Sequence, residues 1–374
     1  MTKKLQINNQ RNSSIEMLRL VAMFFVVMSH SAVHSAFPSA VSTFSLNSCL
    51  LDWMTLGNLG TDIFVVLSGW NLFGKQFRIK SVLSYIVQIW TISVLGLIVY
   101  ALSGGDEVSV SMIAKSVFPI MSGSWWFATA YFVLFLLTPY MNIFVENISR
   151  RQLQCCLWIM ITLWCIIPTF SSQDMYGNQL LLMIMFYLTG AYLRKYPDNF
   201  WNHKKRTKYI LLLSGILLLL SSTIIRWLSA NVAALPFKPT MLYGRSSVLV
   251  ICCAVSMTAL SVYAIPWKNS IINTMGACTF GIYLLSEHPL IKDRIWTEWI
   301  DNSQYFPSNS LAIRLAASVI VVYFVCGVIE CCRITFFSRP LMRFAEKVYA
   351  VISNWVCMLA KRAGKILERV DRTS

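Results

Sequence analysis

The chain has 374 residues, of which 56% are apolar, 13% aromatic and only 13% charged. A soluble domain carries about 25% charged residues and a disordered chain is poor in aromatics, so both classes are excluded. The 32 Lys and Arg against 16 Asp and Glu leave a net charge of +16, which on so apolar a chain reads as basic cytosolic loops of a multi-span membrane protein and not as a nucleic-acid surface.

The polar, basic start MTKKLQINNQRNSS leads into an apolar run with no small-residue cleavage site, which reads as a permanent first span and not a removable signal. A spanning helix takes about 20 mainly apolar residues. In chain order the candidates lie near 17–37, 54–73, 82–103, 125–146, 153–170, 178–194, 208–228, 244–266, 276–293 and 311–333. The stretch 112–121 reads as a re-entrant or surface segment. The expectation is an all-α polytopic membrane protein with about ten transmembrane helices. Residues 1–338 form the membrane domain and residues 339–374 a basic amphipathic cytosolic tail.

With the N-terminus inside, cytosolic segments hold Lys3, Lys4, Arg11, Lys75, Arg78, Lys80, Arg150, Arg151 and most later basic residues, while outer segments hold only Lys115, Lys238, Lys292 and Arg294. That asymmetry puts both termini in the cytosol. In the tail, Leu341, Phe344, Val348, Ile352, Trp355, Leu359 and Ile366 recur at helical spacing with basic residues on the other face, as in a helix lying on a membrane surface, the alternative being a loosely ordered basic tail. The 11 cysteines are odd in number and sit mostly in apolar runs, so they read as inert buried thiols.

An ionisable residue inside a span costs roughly 2.5–3.5 kcal/mol on insertion scales and marks function by default. The first span holds Glu16, Arg19, His30 and His34. Eleven helical steps from Arg19 to His30 return to within about 20° and cover about 16 Å, so all four share one face. Arg19 suits an anion or a pair with Glu16, and a deep neutral His30 suits a proton taken from a hydroxyl. His34, one turn further out, suits orienting His30 or touching an acceptor. The alternative is that the four merely bond neighbouring helices. No phosphate-loop, zinc-protease or dinucleotide motif is present, and no metal site is expected.

The segment IEMLRLVAMFFVVMSHSAVHS resembles the first-helix signature of the acyltransferase-3 family. NLGTDIFVVLSGWNLFGK, GSWWFATAYFVLFLLTPYMN, FYLTGAYLRKY and FGIYLLSEHPLI resemble four further family segments, in the same order, over residues 11–335. The resemblance implies an integral-membrane O-acyltransferase of a bacterial inner or plasma membrane, with no bound cofactor. Acetyl-CoA or another acyl-CoA would be the cytosolic donor, and a hydroxyl of a surface polysaccharide or lipid-linked glycan the acceptor. The bilayer, the acyl-CoA and the glycan are then the partners, and nucleic acid is not. It implies essential roles for Arg19 and His30, with Glu16 at a position that is often acidic. Whether the histidine is a base or carries the acyl group stays open.

Donor phosphates would meet Arg19, Lys75, Arg78 and Lys80, whereas Gln88 and Ile89 stand where the family often has basic residues. Asp62 suits orienting the histidines, binding a sugar hydroxyl or starting a helix. Glu287 and His288 fall in the ninth span as site or structural residues. Arg226, Arg245 and Arg314 read as snorkelling at outer span ends or as acceptor contacts, Trp125 and Trp126 as an interfacial belt or a sugar-stacking platform, and Ser68-Gly69 as a close helix contact, with catalysis by Ser68 as the alternative. No soluble domain follows the tenth span, so outward delivery is expected within the membrane domain. Two rival readings are a transporter or flippase for lipid-linked sugars, which predicts an inverted repeat, and an inactive family member acting as a scaffold.

Overall fold

The structure, a computed structural model, describes residues 12–37, 43–104, 107–171, 175, 177–232 and 240–371, with the backbone alone for 352 and 356–371. Lys3, Lys4, Arg11 and Lys238 lie outside the described residues, as do the side chains of Ile352, Leu359 and Ile366. The described chain is all helical. In order it forms α1 (Ser13–His34), α2 (Leu46–Met54), α3 (Gly57–Leu72), α4 (Ile79–Leu102), α5 (Val110–Val117), α6 (Trp126–Asn147) and α7 (Arg150–Ile161). Then come α8 (Ile167–Phe170), α9 (Gln179–Lys195), α10 (Lys204–Asn231), α11 (Val248–Val262), α12 (Ser270–Ser286), α13 (Leu311–Cys332) and α14 (Ser338–Asp371).

Among the described residues, 8 helical stretches are long and apolar enough to cross a membrane. The other two expected positions hold α9 and α12, each of 17 residues, about 26 Å at the α-helical rise. The protein is a polytopic membrane protein. Its outward surface is apolar: Leu212, Leu213, Ile216 and Ile224 of α10 and Ile313, Val321, Phe324 and Val328 of α13 are exposed. Its interior holds Asp52, Asp62, Arg226, Arg245, His288, Glu330 and Arg333. Hydrocarbon solvates side chains of the first kind and none of the second.

Asn12 caps α1 by accepting the Ser14 N–H. The Ser13 N–H donates to the Trp267 carbonyl at 3.0 Å and the Ser13 hydroxyl to Asn273 at 2.8 Å, which staples this end of α1 to α12. Close contact between α3 and α9 rests on two glycines. A Cβ on Gly69 would overlap the Tyr187 carbonyl, and one on Gly190 the Val66 carbonyl, so the Ser68-Gly69 expectation holds.

Several boundaries differ from the periodicity. The second span starts earlier and is broken at Thr55, whose hydroxyl donates to the Asp52 carbonyl at 2.7 Å and offers the chain an alternative to helical bonding. The expected 276–293 span is displaced: α12 ends at Ser286, so Glu287 and His288 lie beyond the helix. Pro289 has no N–H and disfavours the helical conformation at His288. Near 153–170 a π-turn at Thr162–Ile166 precedes Pro168, which lacks the N–H that Trp164 would otherwise bond. The 112–121 stretch contains the short α5. A further π-turn, Arg333–Phe337, carries α13 into α14. There Phe344, Val348, Val351 and Trp355 are exposed, and Glu346 bonds Lys80 of α4 at 2.7 Å. None of the described cysteines forms a disulfide.

Candidate active site

The four ionisable residues of α1 stand at its two ends, as the spacing requires of one continuous helix. At the first end, Arg19 Nη1 donates to both Glu16 oxygens, at 3.1 and 3.3 Å. Glu16 is buried against Gly276 of α12, where any side chain would overlap it. Arg19 remains partly exposed. Lys75, an exposed residue just past α3, has its pKa lowered by partial burial and then by the positive charges of Arg194 and Arg19. Three cations from α1, the α3–α4 turn and α9 therefore gather at this end. Arg194 also lies over the Trp70 ring, 5.1 Å from its centroid.

The sequence reading did not single out Arg194. Its one signal is its place in FYLTGAYLRKY, and the close α3–α9 packing at Gly69 and Gly190 brings that segment toward Lys75. Of the other basic candidates, Arg78 is exposed and Lys80 turns to Glu346. Gln88 donates to Glu330 at 2.8 Å, and Arg333 donates to both oxygens of the same carboxylate at 2.7 Å each.

At the far end of α1, His30 and His34 face each other with ring centroids 5.6 Å apart. Both approach one oxygen of Glu287: His34 Nε2 lies 2.8 Å and His30 Nε2 3.4 Å from Oε2. Lys292 Nζ donates to the other oxygen at 3.2 Å. The helix stop before Pro289 is what turns Glu287 toward α1. His30 Nδ1 is buried without a hydrogen-bond partner among the described residues. With Nε2 toward a carboxylate, the lone pair of a neutral ring falls on Nδ1. Such a cluster can hold one tautomer, accept a proton at Nδ1 and stabilise the resulting imidazolium through Glu287.

An aromatic wall joins the two ends. Tyr131 of α6 lies within electrostatic reach of Arg19 and shares a 2.8 Å bond with Ser68. Tyr85 of α4 packs on Tyr131 at 5.7 Å and on Phe280 at 4.9 Å. Phe280 and Phe127 each meet Tyr283, which lies 6.2 Å from His30. Sequence reasoning missed this wall, although Phe127 and Tyr131 stand four residues apart on one face.

The family pattern described as an acyltransferase domain, that of acyltransferase-3, matches residues 12–331. The chain belongs to the acyltransferase-3 family. Membership implies acyltransferase activity, and the matched span of this acyltransferase-3 chain contains both clusters and the aromatic wall between them. No curated protein and no solved structure matches it.

The remaining candidates take definite places in this acyltransferase-3 chain. His288 is buried: Nδ1 accepts the Leu290 N–H at 3.2 Å, Nε2 faces the Ser93 carbonyl at 3.4 Å, and Gly96 leaves room for its ring. Its polar atoms are used in holding the α12 turn to α4. Asp62 bonds Arg245 at 2.8 Å and Asp52 bonds Arg226. Both arginines are buried, which corrects the snorkelling expectation: each has an acid from another helix to meet, so neither needs the interface. Arg314 is exposed and stacks on Tyr305 at 3.5 Å. Trp125 is also buried, edge-on to His288 at 5.3 Å, so of the expected belt pair only Trp126 is exposed.

Proposed function

We propose that the protein is an O-acetyltransferase of a bacterial inner or plasma membrane, with both termini in the cytosol. It moves an acetyl group from cytosolic acetyl-CoA to a hydroxyl of a surface polysaccharide or lipid-linked glycan. The supporting observation is the pairing, on one helix, of a cation cluster at one end with an acid-bound histidine at the other. Arg19, Lys75 and Arg194 bind donor phosphates, since the repulsion of Arg194 and Arg19 on Lys75 is relieved when a polyanion joins them. The aromatic wall lines the way for the thioester arm. Arg19 is held by Glu16, and His30 by Glu287.

His30 Nδ1 takes the proton of the acceptor hydroxyl as its oxygen bonds the thioester carbonyl. The carbon–sulfur bond breaks, and the proton gained by His30 balances the one the departing thiolate takes up. His34 and Lys292 share Glu287 and stand toward the acceptor.

The test is transfer of labelled acetyl from acetyl-CoA to glycan in membranes containing the protein. General base catalysis contributes about 10²–10⁴-fold, so His30→Ala loses at least about a hundredfold in kcat, and Glu287→Gln loses part of it. A His30→Ala protein as fast as wild type removes the mechanism.

A further inference from the structure

Two buried arginine–aspartate pairs lie within the helix bundle, and they are closed to different degrees. Arg226 meets Asp52 along one guanidinium edge, with Nε 2.8 Å from Oδ2 and Nη2 2.5 Å from Oδ1. Arg245 makes only the first of these bonds to Asp62, Nε to Oδ1 at 2.8 Å, while its Nη1 donates to Gln179 at 2.6 Å. Nη2 of Arg245 and Oδ2 of Asp62 have no hydrogen-bond partner among the described residues. Both residues are deeply buried, at 5% and 0% exposure.

A buried charged group short of a bond is destabilising, so this pair is one group short. That group must accept from a guanidinium and donate to a carboxylate. A hydroxyl does both. Beside the pair lies an aromatic face: Arg245 Cζ is 5.4 Å from the centre of the Trp126 ring, and Trp126 is 44% exposed. Gln179 is exposed too. An indole face beside a few convergent polar groups suits a sugar ring, with its C–H face on the indole and its hydroxyls on the charges. From Trp126 the rings step to Phe127 at 5.7 Å, to Tyr283 at 5.7 Å and to His30 at 6.2 Å.

We propose that the open Arg245–Asp62 pair and Trp126 form a sugar-binding subsite for the acceptor. A pyranose ring lies on Trp126, one of its hydroxyls bridges Arg245 Nη2 and Asp62 Oδ2, and a neighbouring part of the same glycan meets His30. This deepens the acyltransferase reading and rests on it.

The test uses the full chain in native membrane vesicles, labelled acetyl-CoA, and surface glycan of the producing cells stripped of esters by mild alkali. Trp126→Ala alters an exposed side chain, Gln179→Ala removes the acceptor of Arg245 Nη1, and Arg245→Lys keeps the charge and loses the guanidinium edge. Trp126→Ala and Arg245→Lys each raise the acceptor KM by about tenfold, the scale of one lost charged hydrogen bond or stacking contact, with the donor KM unchanged. Gln179→Ala raises the acceptor KM less. An unchanged acceptor KM in Trp126→Ala overturns the subsite and leaves a structural pair holding a trapped water only, whatever Arg245→Lys does. A wild-type protein that transfers nothing to the glycan removes the acyltransferase reading and the subsite together. His30-dependent transfer with an unmoved acceptor KM removes the subsite alone.

Discussion

His30 and His34 compete for one oxygen of Glu287, and the shorter contact belongs to His34. That leaves His30 as the ring with the looser tie and a buried nitrogen without a partner among the described residues, which suits it to take the proton. At the other end of α1, Lys75 offers a pH test. Partial burial and the charges of Arg194 and Arg19 lower its pKa, so it loses its proton at a lower pH than an ordinary lysine. Donor phosphates favour the charged form. The donor KM is therefore lowest below this depressed pKa and rises as pH climbs through it. Lys75→Arg, which stays charged, flattens the rise. Matching wild-type and Lys75→Arg profiles of donor KM against pH would remove Lys75 from the donor site. The shared face of Glu16, Arg19, His30 and His34 was legible because a helix repeats every 3.6 residues. The partner of the histidines was not, because Glu287 arrives from 253 residues away.

At the scale of helices, the α3–α9 contact determines how the cation cluster is built. With Gly69 and Gly190 the backbones touch, and the ends carrying Lys75 and Arg194 come together. Gly190→Val forces a side chain into the Val66 carbonyl. Overpacking of this kind costs about 1–3 kcal/mol, so detergent-solubilised protein melts at a lower temperature. It also raises the donor KM, because Arg194 moves away from Lys75. A variant with unchanged melting and unchanged donor KM would show that the contact tolerates separation. The helices themselves could be read from hydropathy, whereas several ends could not. Thr55, Pro168 and Pro289 break or bend the chain through single hydrogen bonds made or lost, which a window of about 20 apolar residues averages away. The ninth span shows the cost of that averaging: the displaced end of α12 frees Glu287 to face α1.

Over the whole molecule, charge is sorted twice, between the two ends of the bundle and between lipid face and interior. The orientation that places basic loops in the cytosol has a direct check. In a cysteine-free chain, a cysteine replacing Lys80 reacts with a membrane-impermeant maleimide in inverted vesicles and not in intact cells. A cysteine replacing Lys115 reacts in intact cells. The opposite pattern reverses the orientation and moves the donor end to the outside. The inner sorting pairs Asp52 with Arg226, Asp62 with Arg245, and Glu330 with Arg333. In a bilayer such groups need one another, since neither lipid nor water satisfies them there.

From residue order alone came the class of protein, the positions of the helices, the polar face of α1 and the likeness to acyltransferase-3. Each depends on composition, on helical period or on short motifs, which are properties of a chain read locally. Only the folded chain decided which acid from a distant segment meets which base. Arg226 and Arg245 turned inward to aspartates on other helices, Trp125 went under His288, and Arg194 joined Arg19 and Lys75. These outcomes depend on distances between segments far apart in sequence, and close helix packing sets those distances.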